Sequence, residues 1–109
     1  MNGHQLHSAE LADLLAQHET VLLDFRADWC QPCQLIAPLI DEVAQQQAGQ
    51  LHVAWIDIDR QPELAAELGV RSIPTLVLFH RGRETARHSG LFNKLRLRAW
   101  LAAGQRSMP

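Results

Sequence analysis

Cysteine is scarce in this chain: Cys30 and Cys33 are the only two. Two are too few for a disulfide-dense secreted scaffold. No uninterrupted apolar run approaches membrane-spanning length, so no membrane partner is expected. Met1 to Gln5 carry neither a positive cluster nor an apolar stretch, so no secretory signal is expected in them. Repeats, low-complexity tracts and Gly/Ser linkers are missing too. What is left is a chain of 109 residues, 47% hydrophobic and 20% charged, in the ordinary range for a globular protein. That size predicts a single domain over residues 1–109, here expected to be a cytoplasmic monomer.

Net charge is only −2, but it is unevenly spread. Residues 1–70 hold eleven acidic and two basic side chains, whereas residues 71–109 hold eight basic and one acidic. Such asymmetry can steer an acidic partner. Folding can equally bring the two halves side by side and cancel it. With no recognition motif present, nucleic acid is not an expected partner.

Strand-like and helix-like segments alternate, which predicts an α/β fold with a mixed sheet and helices on its faces. Ser8 is placed to cap a helix carrying Leu11, Leu14 and Leu15. Thr20 to Ala27 suits a strand buried on both sides. A long amphipathic helix follows the cysteines, with Leu35, Ile36, Leu39, Ile40 and Val43 inward, Pro38 as a kink and an end near Gly49. Leu51 to Ile58 is the next strand. Pro62 opens a short helix that Gly69 stops. Thr75 to Phe79 is a further strand, and Gly82 turns the chain into an edge strand over 83–89. Asn93 is placed to cap a last helix presenting Leu97, Trp100 and Leu101, although Leu95 to Arg98 alternate as a strand would. Residues 105–109 are expected to fray.

The chemistry concentrates in Trp29-Cys30-Gln31-Pro32-Cys33. The two thiols sit three residues apart where a strand gives way to a helix. Unpaired N–H groups and the positive ends of the peptide dipoles favour a thiolate at a helix start. Cys30, at the mouth, is the expected nucleophile, exposed to substrate. Cys33, one turn in, is the expected resolving thiol. Zinc requires about four ligands, and no second cysteine pair or matched histidine pair supplies them, so no metal ligand is expected. Asp24 interrupts the apolar strand before the cysteines. Two readings stay open for it: a desolvated acid exchanging protons with Cys33, or a strand-end aspartate bonded to backbone. Pro74 opens a strand, and its context does not choose between cis and trans. Of the six histidines, His4 and His7 are read as solvated. Trp55 and Trp100 are expected in the core, and Trp29 on a docking surface.

These residues resemble the thioredoxin family over roughly residues 20–101. The matching set is Asp24-Phe25, Trp29-Cys30-x-Pro32-Cys33, Ile36-Ala37-Pro38, Asp57-x-Asp59, Gly69-Val70-Arg71, Ile73-Pro74-Thr75 and Gly90. The resemblance implies a central mixed sheet flanked by helices on both faces. It implies a cis Pro74 packed against the cysteines, and Asp24 as the buried proton acceptor and donor for Cys33. It further implies a substrate groove shaped by Trp29, Gln31, Pro32, Ile73, Pro74 and Gly90, with Ile73 backbone groups pairing an extended segment. Electrons would come from a flavin reductase partner fed by NADPH, so no cofactor beyond the Cys30–Cys33 disulfide is expected on this chain.

Three residues depart from the family pattern and are expected to tune the redox potential upward. Gln31 stands where Gly is common. Arg26 replaces a Trp, and would favour the Cys30 thiolate if its guanidinium approached that sulfur. Trp55 replaces the Lys that usually accompanies Asp24, leaving the carboxylate harder to ionise. The expected activity is reduction of protein disulfides by dithiol exchange. The alternatives are a more oxidising oxidase or isomerase, or an interaction module of the same fold.

Overall fold

The computed structural model describes residues 4–5 and 7–106. Its centre is a five-stranded sheet in the order β1-β3-β2-β4-β5. The strands are β1 (His4–Gln5), β2 (Thr20–Arg26), β3 (His52–Asp57), β4 (Thr75–His80) and β5 (Arg83–Ser89). Strands β1, β3 and β2 run parallel to one another, while β4 is antiparallel to β2 and β5 antiparallel to β4. The helices are α1 (Leu11–Gln17), α2 (Gln31–Gln46), α3 (Pro62–Glu67) and α4 (Lys94–Arg106).

Successive side chains of a strand point to opposite faces, and in this sheet both faces are covered. Val21, Leu23 and Phe25 of β2 pack with Ala54, Ile56, Val77, Leu11, Leu14 and Leu64, so α1 and α3 close that side. Leu22 packs with Val53, Leu76, Leu78, Ile36, Ile40, Leu97 and Leu101, so α2 and α4 close the other. Val21 to Phe25 are therefore almost wholly excluded from solvent. Burying each of these large apolar side chains contributes about 1.5–3 kcal/mol. Asp24 shares the parity of Leu22, which sets its carboxyl on the side that α2 covers.

The helix ends follow local chemistry. Cys30 occupies the N-cap of α2 in extended conformation, and Pro32 falls in the first turn, where a missing N–H costs no helical bond. Pro38 lies inside α2, which continues to Gln46, three residues short of Gly49. At the end of α3, Gly69 has φ +68°. There the Gly69 N–H donates to Ala66 O (3.1 Å) and the Val70 N–H to Ala65 O (2.8 Å), a Schellman stop. Arg87 of β5 reaches over and donates to Leu68 O at 2.7 Å. Asn93 caps α4 by accepting the Arg96 N–H at 2.8 Å.

Several expectations need correcting. The N-cap position of α1 is Glu10 and not Ser8, which opens a 3-10 turn, Ser8–Glu10; the side chain of Ser8 lies outside the described residues. The Leu95 to Arg98 stretch is helical, as the Asn93 cap predicts and despite its strand-like alternation, and only one face of it finds the core: Leu97 is buried and Leu95 exposed. Gln105 and Arg106 belong to α4, and Gln105 donates to Gln47 Oε1 at 3.3 Å. Residues 107–109 of the expected frayed tail lie outside the described residues. Trp55 and Trp100 are half-buried and not fully interior: Trp55 lies under the Arg26 guanidinium, and Trp100 packs on Phe92. His7 is exposed as expected, and its ring also meets Gln61 Nε2 at 2.9 Å. The side chain of His4 lies outside the described residues.

Candidate active site

Cys30 and Cys33 are joined as a disulfide, with Cα atoms 5.3 Å apart. The Cys30 sulfur accepts the Cys33 N–H at 3.2 Å, so the N-cap role falls to the sulfur itself. A thiolate released at that atom would already face a backbone donor and the positive end of α2. In this oxidised state Cys30 is 3% exposed and Cys33 2%. Cys30 is thus less exposed than its place at the helix mouth predicts, because Ala27, Ile58 and Ile73 pack around the pair.

Access runs along a groove of about 310 Å3 lined by Trp29, Ile58, Val70, Arg71, Ser72 and Ile73. Trp29 is 69% exposed, and its indole N–H donates to Asp59 Oδ2 at 2.8 Å. The Asp59 N–H in turn donates to buried Asp57 Oδ1 at 2.9 Å, which ties the indole to the β3–α3 connection. Gln34 holds the other side of this corner by donating to Asp28 O at 2.7 Å. Gln31 and Pro32 are exposed in the first turn of α2.

The opposing wall is a braced turn. The Ile73–Pro74 bond is cis, and Pro74 is buried. Pro74 O accepts the Gly90 N–H at 2.9 Å. The Thr75 hydroxyl donates to Ser72 O at 2.6 Å and meets Ser89 Oγ at 2.9 Å. Gly90 sits at φ +97°, a region that favours glycine. No backbone hydrogen bond among the described residues uses Ile73.

Asp24 is 1% exposed, on the sheet face covered by the helix that carries Cys33. Its carboxylate pairs with Arg26, the same-face neighbour two residues on: Oδ2 accepts Nη2–H at 2.6 Å and Nε–H at 3.1 Å. Burial pushes the Asp24 carboxyl above the usual aspartate range. The Arg26 charge and hydrogen bonds pull it part of the way back, and Asp41 on α2 adds a smaller upward push. Trp55 is the β3 register partner of Asp24, and the Arg26 guanidinium lies 4.8 Å from its ring centroid.

This arrangement corrects two expectations. The hydrogen bonds of the Arg26 guanidinium go to Asp24, not to the Cys30 sulfur. Asp24 is therefore not deprived of a cation by Trp55, since Arg26 supplies one from its own strand. Nor is the carboxylate bonded to backbone in the manner of a strand-end aspartate. A larger cavity of about 580 Å3 lies at the start of β2, lined in part by His18, His52 and His80; it holds no thiol and lies apart from the disulfide.

The Thioredoxin family model matches residues 3–103. The chain belongs to the thioredoxin family. It is 42% identical over 89 residues to the thioredoxin of Acidithiobacillus ferridurans, covering 82% of each chain. It is 45% identical over 86 residues to the bifunctional thioredoxin reductase/thioredoxin of Mycobacterium leprae, covering 79% of this chain and 19% of that longer protein. A solved mutant thioredoxin from Halobacterium salinarum superposes with a TM-score of 0.87 at 36% identity, covering 98% of this chain and 93% of the other. With its cysteine pair in place, this thioredoxin-family chain is a thiol–disulfide oxidoreductase, a protein-disulfide reductase acting on protein disulfides without a bound cofactor.

Site residues that the sequence did not yield are Asp59, which anchors Trp29, and the lining residues Ile58, Val70, Arg71 and Ser72. The Arg26 ion pair was also missed. Its signal was present, because a cation two residues after a strand carboxylate shares its face.

Proposed function

We propose that Cys30 attacks a substrate disulfide and that Cys33 resolves the mixed disulfide so formed. Asp24 accepts the Cys33 proton as that thiol attacks and returns a proton to the Cys33 sulfur when the disulfide is next reduced. The Cys33–Cys30 bond forms as the bond from Cys30 to the substrate sulfur breaks, and the substrate leaves as a thiolate. The observation that carries this reading is the disulfide in the first turn of α2, with Ile58 and Ile73 shared between its packing shell and the groove.

Trp29, Gln31, Pro32, Ile73, Pro74 and Gly90 form the substrate surface in this reading. The free backbone groups of Ile73 suit pairing with an extended segment. Gln31, Arg26 and Trp55 tune the potential. A reductase fed by NADPH returns the disulfide to the dithiol, a partnership supported by the fused reductase in the name of the Mycobacterium leprae relative. The protein works as a single-domain monomer in the cytoplasm. No helix among the described residues is long and apolar enough to cross a membrane.

Insulin reduction driven by dithiothreitol tests the assignment. Cys30→Ser is expected to abolish turnover, while Cys33→Ser is expected to accumulate a mixed disulfide visible by mass spectrometry. A Cys30→Ser protein that still reduces insulin would refute it. Equilibration against a glutathione buffer then gives the direction of electron flow.

A further inference from the structure

Arg26 spends both of its hydrogen bonds on one oxygen of Asp24. Oδ2 accepts Nη2–H at 2.6 Å and Nε–H at 3.1 Å, whereas Oδ1 is buried and makes no hydrogen bond among the described residues. The guanidinium carbon lies 4.8 Å from the Trp55 ring centroid, and the Arg26 carbonyl accepts the Ile58 N–H at 3.0 Å, which holds the end of β2 against β3. An oxygen that takes two charge-assisted bonds from a cation is the poorer place for a proton. The other oxygen has no competing donor.

Resting on the proton-exchange reading of Asp24, we propose that Arg26 is a positioning residue that divides the carboxylate's work. It locks Oδ2 in an ion pair and leaves Oδ1 as the atom that takes the Cys33 proton and gives it back. In the resolving step the proton moves from Cys33 Sγ to Asp24 Oδ1 while the Cys33–Cys30 bond forms and the substrate thiolate departs. On reduction by the reductase the same oxygen exchanges its proton in reverse. Arg26 also keeps Asp24 ionised and available down to lower pH than the buried site alone would allow.

The groups facing Asp24 are few. Strand β2 offers Arg26, β3 offers Trp55, and β4 offers Leu76. Helix α2, which carries Cys33, contributes Asp41, and α4 packs Leu97 and Leu101 on the same side. Arg26 is thus the cation in this setting. Lysine would keep the charge but not the two-pronged bond to a single oxygen.

The test pairs two readouts. In the oxidised protein the cysteines do not titrate, so carbon NMR of the Asp24 carboxyl follows that group directly. Arg26→Gln is expected to move its midpoint upward, and Arg26→Lys to move it less. In insulin turnover, Arg26→Gln is expected to be several-fold slower than the parent at about pH 6 and to match or exceed it at about pH 9. A purely structural loss would slow turnover at every pH. In an Asp24→Asn background, Arg26→Gln is expected to add no further loss. An unmoved midpoint, or an equal loss in that background, overturns the role of Arg26 while leaving Asp24 as the proton carrier. If Asp24→Asn alone leaves turnover and its pH profile unchanged, the reading of Asp24 falls and this proposal falls with it.

Discussion

Asp24 places a carboxyl in a strand buried on both faces, and its proton affinity therefore couples to stability. Its folded proton affinity is raised above the ordinary aspartate value, mainly by burial. The folded state then binds the proton more tightly than the unfolded chain. The stability this contributes is full below the unfolded pKa and is lost as pH rises through the folded one. Above that window the buried charge is a liability that Arg26 only partly offsets. Asp24→Asn, whose side-chain oxygen can still accept from Arg26, is expected to raise the urea midpoint at about pH 8, with the gain shrinking toward acid pH. An equal or lower midpoint at alkaline pH would mean that the ion pair outweighs burial.

At the scale of elements, the stop of α3 bears directly on the groove. Gly69 holds φ +68°, and a Cβ there would meet only Arg87 Nη1, in ordinary contact at 4.0 Å, so substitution strains the backbone without a collision. Gly69→Ala is expected to cost about 1 kcal/mol, read as a fall in the denaturant midpoint. Because Val70 and Arg71 follow at once and line the groove, a raised KM for insulin is also expected. Gly104 in α4 is the opposite case: a Cβ there would intrude on the buried Leu78 side chain. Gly104→Ala is expected to cost about 1–3 kcal/mol by overpacking, with turnover unaffected in the protein that remains folded. Helices α2, α3 and α4 and the four longer strands were all legible in periodicity and turn residues. The stop at Gly69 and the cap at Asn93 were legible too, whereas Glu10 at the start of α1, Gln46 and Arg106 mark boundaries decided by packing and backbone bonding. The strand-like alternation of Leu95 to Arg98 did not prevail over the Asn93 cap and the spacing of Leu97, Trp100 and Leu101, and the helix formed as expected. At the site, the sulfurs and Asp24 could be read from spacing and from a charge within an apolar run. The Trp29–Asp59 bond could not, since it joins residues thirty positions apart.

For the whole molecule, folding pairs part of the charge that is uneven along the chain. Glu19 meets Arg81 at 3.4 Å, and Glu42 meets Lys94 at 2.6 Å, each pairing an acid of the first part with a cation of the last. Exposed pairs of this kind contribute little and are screened by salt. The thermal midpoint is accordingly expected to change little as sodium chloride is raised, as a melting series would show. A steep fall would point to a stabilising charge network. The sheet has one other global property. Its inner strands are paired on both sides, which leaves β5 as the long strand at the rim, and there Arg83, Glu84 and Arg87 are exposed. A second copy could extend the sheet only by taking those ionic groups out of water. Crowded molecules are thereby discouraged from zipping into fibres along the one margin long enough to template them.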